Sequence, residues 1–164
     1  MSIAKLIHAS MLGILEEVKD LVARGIDVNS TNRAGVTALM MACQWNRLEI
    51  ADFLITSGAE IETKEIESGR NALMYSCFSG NSKLVELLLL KGAHVNSSDN
   101  TGRTAMMMAA TIGNEEIVNL LLNWGANAHL QDISGATAID WAIGSGHSEV
   151  VHLLEKQKFE KTRQ

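Results

Sequence analysis

Apolar residues recur along this chain at spacings of three and four, pause, and then recur. Between Asp99 and Ala126, DNTGRTAMMMAATIGNEEIVNLLLNWGA, the pattern predicts a turn, a helix, a break and a second helix. Asp99 to Gly102 reads as the turn. Thr104 stands just before an apolar run, where its hydroxyl caps a helix start. Gly113 ends that helix. Ile117, Leu120 and Leu121 then share one face of the next, and Gly125 supplies the left-handed residue that commonly closes a helix. A unit this short cannot bury its own apolar face and needs copies of itself on either side.

The copies are present. Ala4, Thr37, Asn71, Thr104 and Thr137 occupy one slot, at spacings of 33, 34, 33 and 33 residues. Gly25, Gly58, Gly92 and Gly125 close the second helices at 33, 34 and 33, and of 13 glycines all but Gly144 fall in three recurring slots. The strings GVTALMMAC, GRNALMYSC, GRTAMMMAA and GATAIDWAI, each followed by a second helix ending near GA or at LLEKQ, resemble the ankyrin repeat. The first unit, AKLIHASMLGILEEVKDLVARGIDVN, fits less closely. The resemblance implies an all-α solenoid of five stacked helix-turn-helix repeats with short projecting β-hairpin loops. One domain spans 1–164, with repeats at about 3–31, 32–64, 65–98, 99–131 and 132–156 and a tail at 157–164.

The family favours T-P-L-H at the first helix. Here the proline slot holds Lys5 or alanine, and the chain has no proline at all. Alanine is the better helix former, so the helices are expected to survive. The histidine slot holds Ile7, Met40, Met74, Met107 and Asp140, so the family's histidine hydrogen bonds must be lost or replaced. Asp140, three after Thr137, fits a variant capping box.

The second helices mark the ends of the stack. Glu17 and Asp20 stand where other repeats place apolar residues, and are expected to face water. Glu155 does the same in the last repeat, predicting a polar C-terminal cap and a chain that carries both caps. Such ends predict a monomer when free. The tail is expected to extend the last helix, with Phe159 folding back onto the cap. The middle repeat has the widest apolar surface, Leu84, Val85 and Leu87 to Leu90. The connector EIETKEIESG holds the one extra residue and reads as a solvated hairpin. The alternative is an acidic finger meeting a basic partner.

Composition narrows the function. The net charge is −5 over 164 residues, with no basic run and one tyrosine, which argues against a nucleic-acid partner. No apolar run approaches the ~18 residues of a membrane span. The N-terminal segment reads as first-repeat helix rather than secretory signal, because Ala4, Leu6, Ala9 and Gly13 fall in register. Cys43 and Cys77 share a small-residue slot. Helices ~8–10 Å apart exceed the ~7 Å that a disulfide tolerates, so two buried, reduced thiols are expected, in keeping with a cytoplasmic location.

In the family, hairpin tips and first helices line a concave surface that holds protein partners. The slots near the first-helix ends give an apolar ladder, Leu12, Trp45, Phe78 and Ile112. Exposed, it forms a patch that a monomer rarely keeps without use; the bland reading tucks Trp45 and Phe78 into the core. Arg33, Arg70 and Arg103 in the turns form a second ladder suited to carboxylates, or else merely solubilise the turns. Trp124 is expected to be exposed, Trp141 to be core, and the methionines to be core filling.

Chemistry finds little purchase. His147 and His152 are five apart, not four, and His94 and His129 lie in non-equivalent slots. The GSG at 144–146 follows no strand and precedes no G-K-[ST]. The expectation is a non-enzymatic protein-binding module without cofactor or metal, acting as inhibitor, immunity-like neutraliser or adaptor. A small-molecule or metal-binding protein with an unrecognised enzymatic site is the alternative.

Overall fold

A computed structural model describes residues 3–161, with side chains to 156. Within them lie ten helices: α1 (Ile3–Leu12), α2 (Leu15–Ala23), α3 (Ala38–Gln44), α4 (Leu48–Thr56), α5 (Ala72–Ser79), α6 (Ser82–Leu90), α7 (Ala105–Ile112), α8 (Glu115–Asn123), α9 (Ala138–Ser145) and α10 (Ser148–Lys161). They pair as the pattern predicts. Each odd helix packs on the next odd helix, each even helix on the next even one, giving two layers along one stack.

The layers follow from side-chain size. Ala9, Ala42, Ser76, Ala109 and Ala142 share a buried slot in the odd helices, so these helices approach closely. In the even helices Leu21, Leu54, Leu88, Leu121 and Leu154 form a buried row beneath them. The core is a strip running the length of the stack. The methionines at 40, 74, 106, 107 and 108 lie within it.

Thr37, Asn71 and Thr104 each accept a bond from the backbone N–H three residues on, at 3.2, 3.1 and 3.4 Å. The Asp140 carboxylate accepts from the Thr137 N–H at 2.8 Å, as the sequence suggests. In the second repeat the Met40 sulfur takes that role, 3.5 Å from the Thr37 nitrogen. Asn46 fills the slot of Gly13, Gly80, Gly113 and Gly146, and alone among the described non-glycine residues has positive φ, 59°. Asparagine tolerates that region best after glycine.

Hydrogen bonds from other slots join successive repeats. Side chains just past the odd helices reach back to the preceding repeat: Arg47 to the Met11 carbonyl at 3.0 Å, Ser79 to Cys43 at 3.1 Å, Asn114 to Gly80 at 3.3 Å, and His147 to Thr111 at 3.1 Å. Beyond the even helices, Asn29, Glu62 and Asn96 accept backbone N–H groups of Glu60, His94 and Asn127 in the following repeat.

Several expectations need correction. The loops are stacked turns rather than paired strands; an isolated bridge joins Ser98 and Thr104. The turns are linked by bonds from Ile66 to Ala34, Asn100 to Ser68 and Ile133 to Thr101. The connector's glutamates are not all solvated: Glu65 is buried, and Glu62 also accepts from the Ser97 hydroxyl. Leu90 points to solvent, 64% exposed, because it lies off the face that its neighbours bury. Glu17, Asp20 and Glu155 do face water. The last repeat nonetheless exposes Ile143, whose slot in inner repeats is covered by the next odd helix. Phe159 lies outside the described side chains.

Candidate partner-binding surface

The odd helices turn one side to the core and the opposite side outward. Positions four, seven and eight after the cap residue share that outward face, as helical spacing requires. In the second repeat they are Met41, Gln44 and Trp45, and in the third Tyr75, Phe78 and Ser79. In the fourth, Thr111 and Ile112 lie there, while Met108 is buried in the core.

Trp45 is 51% exposed, Phe78 48%, Leu12 47% and Ile112 39%. The core placement of Trp45 and Phe78 is thereby overturned. The ladder is staggered, since Phe78 stands one position before the slot of the other three. Tyr75 and Met41 are half-buried beside it and widen the apolar floor. The sequence reading took Met41 for core filling and gave Tyr75 no place on this face; Tyr75 also packs on the core. Trp141 was expected to be core. It is half-buried instead, and its Nε1–H donates to Asp132 at 2.9 Å. Trp124 is exposed, as expected, on an even helix.

The arginines do not form one ladder. Arg33 sits exposed at a turn tip and bonds to no described residue. Arg70 and Arg103 converge on Asp99: their Nε atoms lie 3.8 and 3.4 Å from Asp99 Oδ2. Arg70 also lies over the Phe78 ring at 5.9 Å, and Arg103 over Trp141 at 5.4 Å, within cation–π range.

The turns that hold this arrangement share a device that the sequence reading missed. Asn32, Glu65, Asp99 and Asp132 occupy one slot, and each side-chain oxygen accepts N–H groups of its own turn. This is the Asx-turn. The extra residue of the chain lies inside the second such turn, which opens the third repeat. There Gly69 bonds back four residues to Glu65, whereas Gly35, Gly102 and Gly135 bond back three. Glutamate, one methylene longer, spans the wider turn. Burial opposes the charge of Glu65, but bonds from Ser68, Glu67 and Arg70 outweigh it and lower its pKa. The Ser134 hydroxyl is the main cause of the fall in Asp132 to about 2. Burial opposes that fall, and the N–H groups of Ser134 and Ala136 and the Trp141 indole add to it. Burial, reinforced by Glu65 and offset by Arg70, raises the phenol of Tyr75.

Among the described residues no group of three metal-ligating side chains converges, and no helix is long and apolar enough to cross a membrane. His147 is committed to the Thr111 carbonyl, and the depression of about 330 Å³ lined by Gly13, Arg47 and Glu49 opens to solvent. Burial pushes the Cys43 thiol up to about 12 and raises Cys77 as well; neither is in a disulfide.

The family model described as ankyrin repeats (3 copies) matches residues 6–99 and again 73–164. The chain belongs to the ankyrin-repeat family. An ankyrin repeat protein of Fowlpox virus (strain NVSL), FPV031, is 31% identical over 97 residues, covering 58% of this chain and 28% of that protein. The B-cell lymphoma 3 protein homolog of Mus musculus is 34% identical over 84 residues, 51% of this chain and 19% of its own length. Ankyrin repeat and SAM domain-containing protein 6 of Rattus norvegicus is 40% identical over 89 residues, 54% and 10%. The chain thus spans under a third of each of these relatives. Ankyrin repeats are generally protein-interaction modules.

Proposed function

We propose that this ankyrin-repeat chain binds a polypeptide partner on the outward face of its odd helices, without catalysing a reaction. The observation that carries the reading is the exposure of Trp45 and Phe78 between Leu12 and Ile112, on helices locked in place from below. Large apolar side chains kept in water at regular repeat positions cost solubility unless a partner covers them. A face already rigid loses little entropy on docking, and ~800 Å² per partner fits on it. Arg33, Arg70 and Arg103 border the same face. The mode of action is occlusion or bridging: an inhibitor or neutraliser uses one face, an adaptor two. The buried, unpaired thiols suit a reducing cytoplasm, and the acidic outer residues of the first repeat suit a monomer.

The test is capture of the native partner from source lysate by wild type and by Trp45→Ala/Phe78→Ala. The double variant should keep its helix content and thermal transition and lose the partner. A folded variant that captures the partner fully would remove this face from consideration. Amide-exchange protection in the complex separates the roles, since protection on one face means inhibitor and on two means adaptor.

A further inference from the structure

Resting on that reading, we infer that the bound polypeptide is acidic: an apolar segment carrying carboxylates. Arg70 and Arg103 receive the carboxylates, while Trp45, Phe78 and Trp141 take the apolar side chains.

Charge is segregated between the layers. Helices α1, α3, α5 and α7 contain no aspartate or glutamate and α9 has one, Asp140, held in its own cap, whereas α2, α4, α6, α8 and α10 each carry at least one. The layer of even helices repels an acidic chain more than the outward face of the odd helices does.

The arginine pair is incompletely neutralised. Two guanidiniums share the single carboxylate of Asp99, whose side chain is fully buried. Asp99 Oδ1 is consumed by its own turn, accepting from the Thr101 N–H, the Thr101 hydroxyl and the Arg103 N–H. Asp99 Oδ2 and Arg70 Nε are buried without a hydrogen bond. Asp99 therefore acts as a positioning residue: it holds the inner edge of both guanidiniums by charge, and Arg103 Nε also donates to the Thr101 hydroxyl at 3.0 Å. Their terminal nitrogens donate to no described residue, and the side chains stay 25% and 27% exposed. Each fork rests on an aromatic ring, which holds it flat and partly dry. A planar fork in that state matches a carboxylate through two parallel bonds. The incoming carboxylate supplies the second negative charge that the pair lacks.

The competing anions on this side are occupied. Glu65, Asp132 and Asp140 each accept N–H or O–H groups of their own turn or cap. Cations continue along the same border: Arg33 is free of described partners, and Lys64 reaches the Ser98 carbonyl. A phosphate polymer presents similar charges, but it lacks aliphatic side chains for Trp45 and Phe78. An acidic peptide satisfies both halves of the surface.

The probe is a capped, fluorescent peptide of glutamate, leucine and serine. About ten residues, at ~3.3 Å each, span the three repeat steps of ~10 Å from Trp45 to Trp141. Its controls are the same peptide with lysine for glutamate and a single-stranded oligonucleotide of equal length. Binding of the acidic peptide should be at least about tenfold tighter than either control and should weaken with added salt. In nitrogen-15 spectra of the wild-type chain it should shift the Nε–Hε signals of Arg70 and Arg103, a readout that needs no variant. Arg70→Gln/Arg103→Gln should weaken binding about tenfold or more, with circular dichroism confirming the fold. Equal binding of glutamate and lysine peptides, preference for the oligonucleotide, or unmoved arginine signals would overturn the acidic specificity. Those results leave the outward-face reading standing, because that is judged by native-partner capture with the Trp45/Phe78 variant.

Discussion

Asp99 shows how much one side chain can organise. One oxygen closes its own turn and the other faces two arginines from different repeats. Asp99→Asn keeps the first oxygen but sets an amide donor against two donors and strands the Arg70 guanidinium, while Arg103 Nε keeps its bond to the Thr101 hydroxyl. A loss of about 1–3 kcal/mol is expected, read as a lower urea midpoint at unchanged m-value. Asp132 gives the corresponding pH signature. Its folded pKa of about 2 lies below the ordinary 3.8, so the stability it contributes is fully present above 3.8 and is lost as pH falls through about 2. Between those values the urea midpoint should fall more steeply in wild type than in Asp132→Asn, and the Trp141 indole N–H signal should move as its acceptor protonates. Gly113 shows steric necessity: its φ is +76°, and a Cβ there would stand 2.4 Å from the His147 ring. Gly113→Ala should destabilise by more than 1 kcal/mol, and less in a His147→Ala background; additive effects would mean that backbone strain alone sets the cost.

At the level of elements, the helices were legible and the joints between them were not. Helix starts, ends and pairing follow from contacts within a few residues, and Thr104, Gly113 and Gly125 announce them locally. Exposure of Trp45 was foreseeable from register, since its slot follows the two inward positions of the helix. Trp141 defeated the same reasoning because a neighbouring turn offers it Asp132. The clamps between repeats also escaped notice. Arg47 and Met11, or Asn29 and Glu60, are more than 30 residues apart, and nothing in a period identifies which polar residue crosses the gap. The arginine ladder failed for a similar reason: equal residue types at similar positions had different neighbours. Asn114 combines both kinds of information. It caps α8 through the Ile117 N–H at 3.0 Å and reaches Gly80 at 3.3 Å. Asn114→Ala should therefore cost about 1–2 kcal/mol, while Glu115→Ala, beside it and exposed, should stay within about 0.5 kcal/mol. Thermal melts of the two variants make the comparison.

The stack is held chiefly by neighbours. Each odd helix touches the adjacent odd helices, and among the described residues the substantial helix contacts lie within a repeat or between adjacent repeats. Stability in such a stack is a sum of unit and interface terms rather than one global quantity, so the position of a defect matters as much as its size. Leu88 and Leu154 occupy equivalent slots and are 0% and 1% exposed, and truncating either to alanine removes the same atoms. Each should lose about 2–5 kcal/mol locally. The consequences differ by place. A cavity at Leu88 weakens the third repeat, to which both halves are anchored, and should speed amide exchange throughout α3 to α8. A cavity at Leu154 weakens a repeat with one described neighbour, and should speed exchange in α9 and α10 while α1 to α6 keep wild-type protection. Uniform acceleration over all helices in both variants would instead mean that the repeats unfold as a single unit, and the outward face would then be only as rigid as its weakest end.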